Sequence, residues 1–195
     1  MNYSKLRTLK ERFFFTVGDI ADLFGIKPPS ARVLCSRYVR DGIFVRLKNN
    51  LYVLEQNWDR YSRQDFIRLA NIIQVPSYVS FSTALSFYEV TTQVPGNFFE
   101  SACLKRSVKF QVRGTEFAFY KLKKELYFDF VKQNDYFIAT KEKAFLDAAY
   151  LYSFGKYKLD LSALDIKKLD KNRLTGLLKR YPAKTRDTVR RICRI

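Results

Sequence analysis

An α+β fold is predicted for this chain of 195 residues, and three observations carry the expectation. Residues 15–54 read as a helix, a tight turn, a second helix and two short strands around an Asn-Asn turn. Residues 98–123 change to the alternating pattern of strands, and residues 141–154 return to helical spacing. That order predicts an N-terminal winged helix-turn-helix over 1–57. A mixed α/β domain over 58–195 follows, with a small antiparallel sheet and, at 156–195, a basic helical tail.

Taken in order, Leu6 and Leu9 supply the apolar side of a first short helix. Thr16 is a good N-cap for the next one, and Asp19 falls where a carboxylate meets the positive end of the helix dipole. Ile20, Ala21, Leu23 and Phe24 form its apolar stripe, and Gly25 ends it. Pro28 and Pro29 suit a fresh helix start. In that second helix Ala31, Leu34, Cys35, Tyr38 and Val39 share one face. The opposite face holds Val33, Ser36, Arg37 and Arg40, with Ser30 and Arg32 toward its edge and N-terminal end. Gly42 stops the helix, and strands are expected over 43–47 and 51–54, with Asn49-Asn50 able to take positive φ between them.

This arrangement points to double-stranded DNA. A helix bearing Ser30, Arg32, Val33, Ser36, Arg37 and Arg40 can lie in the major groove, where arginine reads guanine through two hydrogen bonds. Lys27 precedes the helix at a position suited to a phosphate, and Arg46, Lys48, Asn49 and Asn50 are expected to grip the backbone or minor groove. A helical hairpin that binds nothing is the structural alternative.

In the second domain Ser62 is expected to cap a helix carrying Phe66, Leu69, Ala70 and Ile73, and Ser80 or Ser82 one bearing Ala84, Leu85 and Tyr88. Three strands follow, the last two joined by a turn at Arg113-Gly114-Thr115. Phe117 and Phe119 share one strand face and are expected in the core, so a base-stacking platform with Phe110 is a weak option. The later helix places Ala144, Phe145, Ala148, Ala149 and Tyr152 inward. The tail is expected to form two helices, with Leu174, Leu177, Leu178 and Tyr181 buried on one and Val189, Ile192 and Cys193 on the other. Lys184, Arg190, Arg191 and Arg194 then form an exposed basic face, a candidate second nucleic-acid surface, although Asp187 on the same face can pair with its neighbours and favours a simply solvated one.

Composition narrows the classes. Lysine and arginine total 36 against 19 acids, a net charge of +17 that favours polyanionic partners. Residues 156–195 hold 13 basic and 4 acidic residues, more of the excess than any other segment. Histidine is absent, which removes the commonest general base and metal ligand, and no phosphate-binding glycine loop occurs. No catalytic residue, metal or cofactor is expected. Cys35, Cys103 and Cys193 are odd in number and lack metal-ligand spacing, so they read as reduced thiols. No apolar run reaches membrane-spanning length and the first residues are too charged for a signal peptide, so a cytoplasmic protein with no membrane partner is expected.

Two phrases in the second domain, YVSFSTALSFYEVTTQVP and ATKEKAFLDAAYLY, resemble the AbiEi-like family of antitoxins from type IV toxin–antitoxin (abortive infection) systems. The residues that carry the resemblance are Ser80, Ala84, Leu85 and Pro95, then Glu142, Lys143, Ala144, Leu146 and Asp147. The resemblance implies a transcriptional regulator that represses its own operon by binding inverted repeats through the winged helix. It also implies a C-terminal domain that counters a nucleotidyltransferase-like toxin without forming a stable complex with it. The Asn49-Asn50 turn departs from the family's Arg-Gly wing. A stand-alone DNA- or RNA-binding module using the basic tail, with no toxin partner, is the alternative. Glu142 and Lys143 are read as helix-start charges and Asp147 as a surface carboxylate; an enzyme using the three as an acid/base set is a further rival.

Overall fold

A computed structural model describes residues 3–93 and 96–195, with side chains from residue 5 onward; Pro95, named in the resemblance above, lies outside the described residues. The chain is mixed α+β and divides into two units, Met1–Phe66 and Ile67–Ile195.

The first unit begins with α1 (Tyr3–Thr8), α2 (Val17–Phe24) and α3 (Pro28–Arg40), followed by β1 (Phe44–Lys48), β2 (Leu51–Leu54) and the single turn α4 (Glu55–Trp58). Thr16 and Asp19 cap α2 reciprocally: the Thr16 hydroxyl accepts from the Asp19 N–H, and the Asp19 carboxylate accepts from the Thr16 N–H. Gly25 takes φ of 65°, a left-handed conformation that any side chain would strain, and this lets α3 start three residues later. Leu6, Leu9, Phe15, Ile20, Ala21, Ala31, Cys35 and Tyr38 close one apolar core with Phe44, Tyr52 and Leu54 of the hairpin. Phe44 is its hub, meeting Phe15 and Tyr38 edge-on at ring separations of 4.7 and 5.0 Å. Of the two hairpin asparagines only Asn50 has positive φ, and the register slips between Arg46 and Lys48. The turn is therefore a bulged one and not the doubly left-handed turn that Asn-Asn suggests.

Ser62 and Asp65 cap α5 (Arg63–Ile73) in the same reciprocal way as Thr16 and Asp19. The second unit then contains β3 (Ser77–Val79), α6 (Phe81–Phe87), β4 (Phe98–Cys103), β5 (Val108–Val112), β6 (Thr115–Lys121), β7 (Phe130–Gln133), β8 (Tyr136–Ala139), α7 (Lys141–Ser153), α8 (Lys171–Leu178) and α9 (Ala183–Cys193). The small antiparallel sheet expected here is larger and mixed. Its order is β5-β6-β4-β3-β8-β7, with β4–β6 and β3–β8 parallel and the other neighbours antiparallel. Strands β3, β7 and β8 span only three or four residues, too short to display alternation, and β3 is buried throughout.

Phe117 and Phe119 are closed to solvent and Phe110 is half-buried, so the three do not form an open stacking platform. Helix α7 is buried almost all round and contacts α6, α8, α9 and β8, which makes it the centre of the unit. Tyr152, expected inward, faces solvent; Leu146 and Leu151 are buried instead, because burial on several sides relaxes the single-stripe pattern. Tyr88, Leu177 and Ile192, also expected inward, are half-buried, while Leu174, Leu178, Tyr181, Val189 and Cys193 are fully inside.

Candidate nucleic-acid interface

The candidate interface is built on α3. Ala31, Cys35 and Tyr38 anchor the helix in the core, which turns Ser30, Arg32, Val33, Ser36, Arg37 and Arg40 outward, all exposed. Val33 is 70 % exposed, unusual for a β-branched apolar residue on a helix. No acidic residue occurs within α3; Asp41, just past its end, lies 3.4 Å from the Arg40 guanidinium. Pro28 and Pro29 carry no N–H, so Ser30 is the first residue of α3 with a backbone donor, and no side chain caps that end. Lys27 is exposed beside it. The result is a cationic face with one apolar point and an open amino end.

The hairpin is tied to the helix pair by two devices. Phe15 pairs with Tyr52 through hydrogen bonds of 2.8 and 2.9 Å, a one-residue antiparallel bridge to β2. Asn50 Oδ1 accepts the Val17 N–H at 2.8 Å, filling one of the donor positions left open at the start of α2. Asn50 is therefore first a tether. Arg46 is exposed and reaches back to the Lys48 carbonyl and the Asn49 side chain at 3.4 and 3.5 Å, while Lys48 is half-buried. Burial alone would raise the Asp19 carboxyl, but the Thr16 hydroxyl and N–H and the Arg12 guanidinium outweigh it and hold it below its ordinary value.

In the tail, Lys184, Arg190, Arg191 and Arg194 are all exposed. Arg190 lies 3.6 Å from Asp187 on the same helix, and the Lys184 ammonium sits 5.3 Å from the centre of the Phe154 ring. These four residues belong to the second unit and the α3 set to the first.

Glu142, Lys143 and Asp147 are a correction. None is a surface charge: Lys143 and Asp147 are fully buried and Glu142 is 2 % exposed. Asp147 pairs with Lys143 one helical turn away and accepts from the hydroxyls of Tyr78 (2.9 Å), Ser80 (2.8 Å) and Tyr181 (3.2 Å). The Lys143 ammonium also donates to the Tyr181 oxygen and lies over the Phe128 ring at 4.8 Å. Burial lifts the Asp147 carboxyl and lowers the Lys143 ammonium, and their contact opposes both shifts. Ser80 thus spends its hydroxyl on Asp147 and does not cap α6, although it occupies the N-cap position. Glu142 accepts from the Asp170 N–H and faces Arg173 at 3.5 Å, linking α7 to α8. Such a set, sealed from solvent, holds elements together and offers a substrate no approach.

The three thiols are free and buried, with Cys35 and Cys193 each pushed up to about 11 by burial, so they are poor nucleophiles. Among the described residues no group of three or more Cys, Asp or Glu side chains is placed to hold a metal ion, and no helix is long and apolar enough to cross a membrane. No protein-family model matches the chain, and no curated protein matches it.

Proposed function

We propose that the first unit is a winged helix-turn-helix and that the chain is a sequence-specific regulator of transcription binding double-stranded DNA. The observation that carries this reading is the outer face of α3: three exposed arginines, two serines and an exposed valine on a helix of 13 residues without a carboxylate. A major groove accepts a helix of this kind, arginine suits guanine, serine suits a phosphate or base edge, and valine suits a thymine methyl group. The hairpin follows α3 directly and is pinned by Asn50, which favours a wing that reaches the backbone as a rigid body.

We further propose that the target is the chain's own promoter and that the second unit acts as an antitoxin against a nucleotidyltransferase-like toxin. This part rests on the AbiEi resemblance. One physical fact supports it: Ser80 and Asp147, from the two separate phrases, meet at 2.8 Å in one buried cluster, so the phrases belong to a single structural unit.

Equilibrium binding to the duplex upstream of the chain's own coding sequence tests the reading. Arg37→Ala with Arg40→Ala should weaken it at least tenfold, given about 1–3 kcal/mol for each good base contact. Unchanged affinity and selectivity in that variant would remove the proposal.

A further inference from the structure

The second unit carries a cleft that the reading above does not use. Two cavities of about 800 and 640 Å³ adjoin there, sharing Tyr120 and Lys156 in their walls. Each has the volume of an ordinary small-ligand site. Lys156 and Lys158 line the first, and Lys121, Lys123 and Lys156 line the second. All four lysines are exposed; Lys123 lies 3.9 Å from Glu125, and among the described residues the other three have no carboxylate partner. Interleaved with them are Tyr120, Tyr157 and Phe98 on one side and Phe154 on the other, the last 43 % exposed. Lys184 stands over the Phe154 ring and continues the cationic rim onto α9.

The rings are held in place from beneath. Glu100 is buried and accepts from the Tyr157 hydroxyl (2.8 Å), the Tyr120 hydroxyl (3.2 Å), the Ser82 N–H (3.0 Å) and the Ser82 hydroxyl. Two of these four bonds fix the tyrosines, one on each carboxylate oxygen, and the other two tie the carboxylate to Ser82. Phe81 packs under both at ring separations of 4.8 and 5.4 Å and does so with a φ of 55°, a strained value for a bulky residue. Strain of that kind persists only where the surroundings over-determine it.

We propose that this cleft binds single-stranded nucleic acid. Rigid aromatic rings supply π-faces on which bases stack without regard to sequence, and the lysines track the phosphates between them. Two joined cavities suit consecutive linked nucleotides better than one free nucleotide. The site is independent of α3, so either assignment can fail alone.

Fluorescence anisotropy of the full chain with a labelled oligouridylate of eight residues tests it, with uridine monophosphate as competitor. Lys156→Glu with Lys158→Glu should weaken binding at least tenfold, and Tyr157→Leu by roughly tenfold. Thermal unfolding of the lysine variant should be unchanged, since both side chains are exposed. Arg37→Ala with Arg40→Ala should leave oligouridylate affinity intact. Equal affinity in the lysine variant would overturn the proposal, as would loss of binding in the arginine variant instead. Competition by the mononucleotide at the oligomer's own concentration would replace a strand path with a nucleotide pocket.

Discussion

Lys143 and Asp147 stand one turn apart on α7 with no access to water, and the cost of that burial is met by four donors on the carboxylate and three aromatic rings around the ammonium. Removing one partner strands the other. Asp147→Ala should destabilise the second unit by about 3–5 kcal/mol in denaturant unfolding, whereas Lys143→Met with Asp147→Leu should cost less, since it strands no charge and leaves only the hydroxyls of Tyr78, Ser80 and Tyr181 without their acceptor. A surface role would give less than about 1 kcal/mol for the single change. Asp19 behaves differently. Its carboxyl is held low in the folded state, so its contribution is present above the ordinary carboxylate value and is lost as pH falls through the folded one. Asp19→Ala should cost about 1 kcal/mol at neutral pH, and the gap from wild type should close below about pH 4. Residue identity alone marked Asp19 correctly, because a cap is a local event. It misplaced Asp147, because burial depends on Tyr78, Ser80 and Tyr181, which lie 34 to 69 residues away.

At the level of elements, the helix pair was legible because each signal lies within a few residues: Thr16 with Asp19, Gly25, the two prolines, and the apolar face of α3. The β1–β2 hairpin was legible in outline, but the tether from Asn50 to Val17 spans 33 residues and leaves no local trace. Asn50→Gly keeps the positive φ and loses the hydrogen bond. It should lower the stability of the first unit by about 1 kcal/mol, and Asn50→Ala by more, since alanine also strains the left-handed backbone. Equal effects of the two would show that the side-chain bond alone matters. The six-stranded sheet was only half legible. Strand β5 alternates in burial, and β4 and β6 are long enough, at six and seven residues, to stand out as strands although β4 is buried on both faces, while β3, β7 and β8 are short. Parallel pairing of β4 with β6 is a long-range choice that no local pattern declares. The cleft had a visible cue in the runs Tyr120-Lys121-Leu122-Lys123 and Lys156-Tyr157-Lys158, where lysine alternates with tyrosine or leucine. Only the fold brings the two runs together.

For the whole molecule, a net charge of +17 is the electrostatic attraction on offer to a polyanionic partner, and most of the excess in the tail lies on exposed residues. Charge and selectivity should separate. Arg190→Glu with Arg191→Glu should reduce duplex affinity and flatten its dependence on salt while leaving sequence preference unchanged, because phosphate contacts carry no base information. Base reading by α3 is checked by selection from a library of random duplexes, comparing wild type with Arg37→Ala. The wild-type chain should enrich one motif, and the variant should relax that motif at a guanine position while keeping the rest. No enriched motif for the wild type, or the same motif for both, would contradict a base-reading role for this helix.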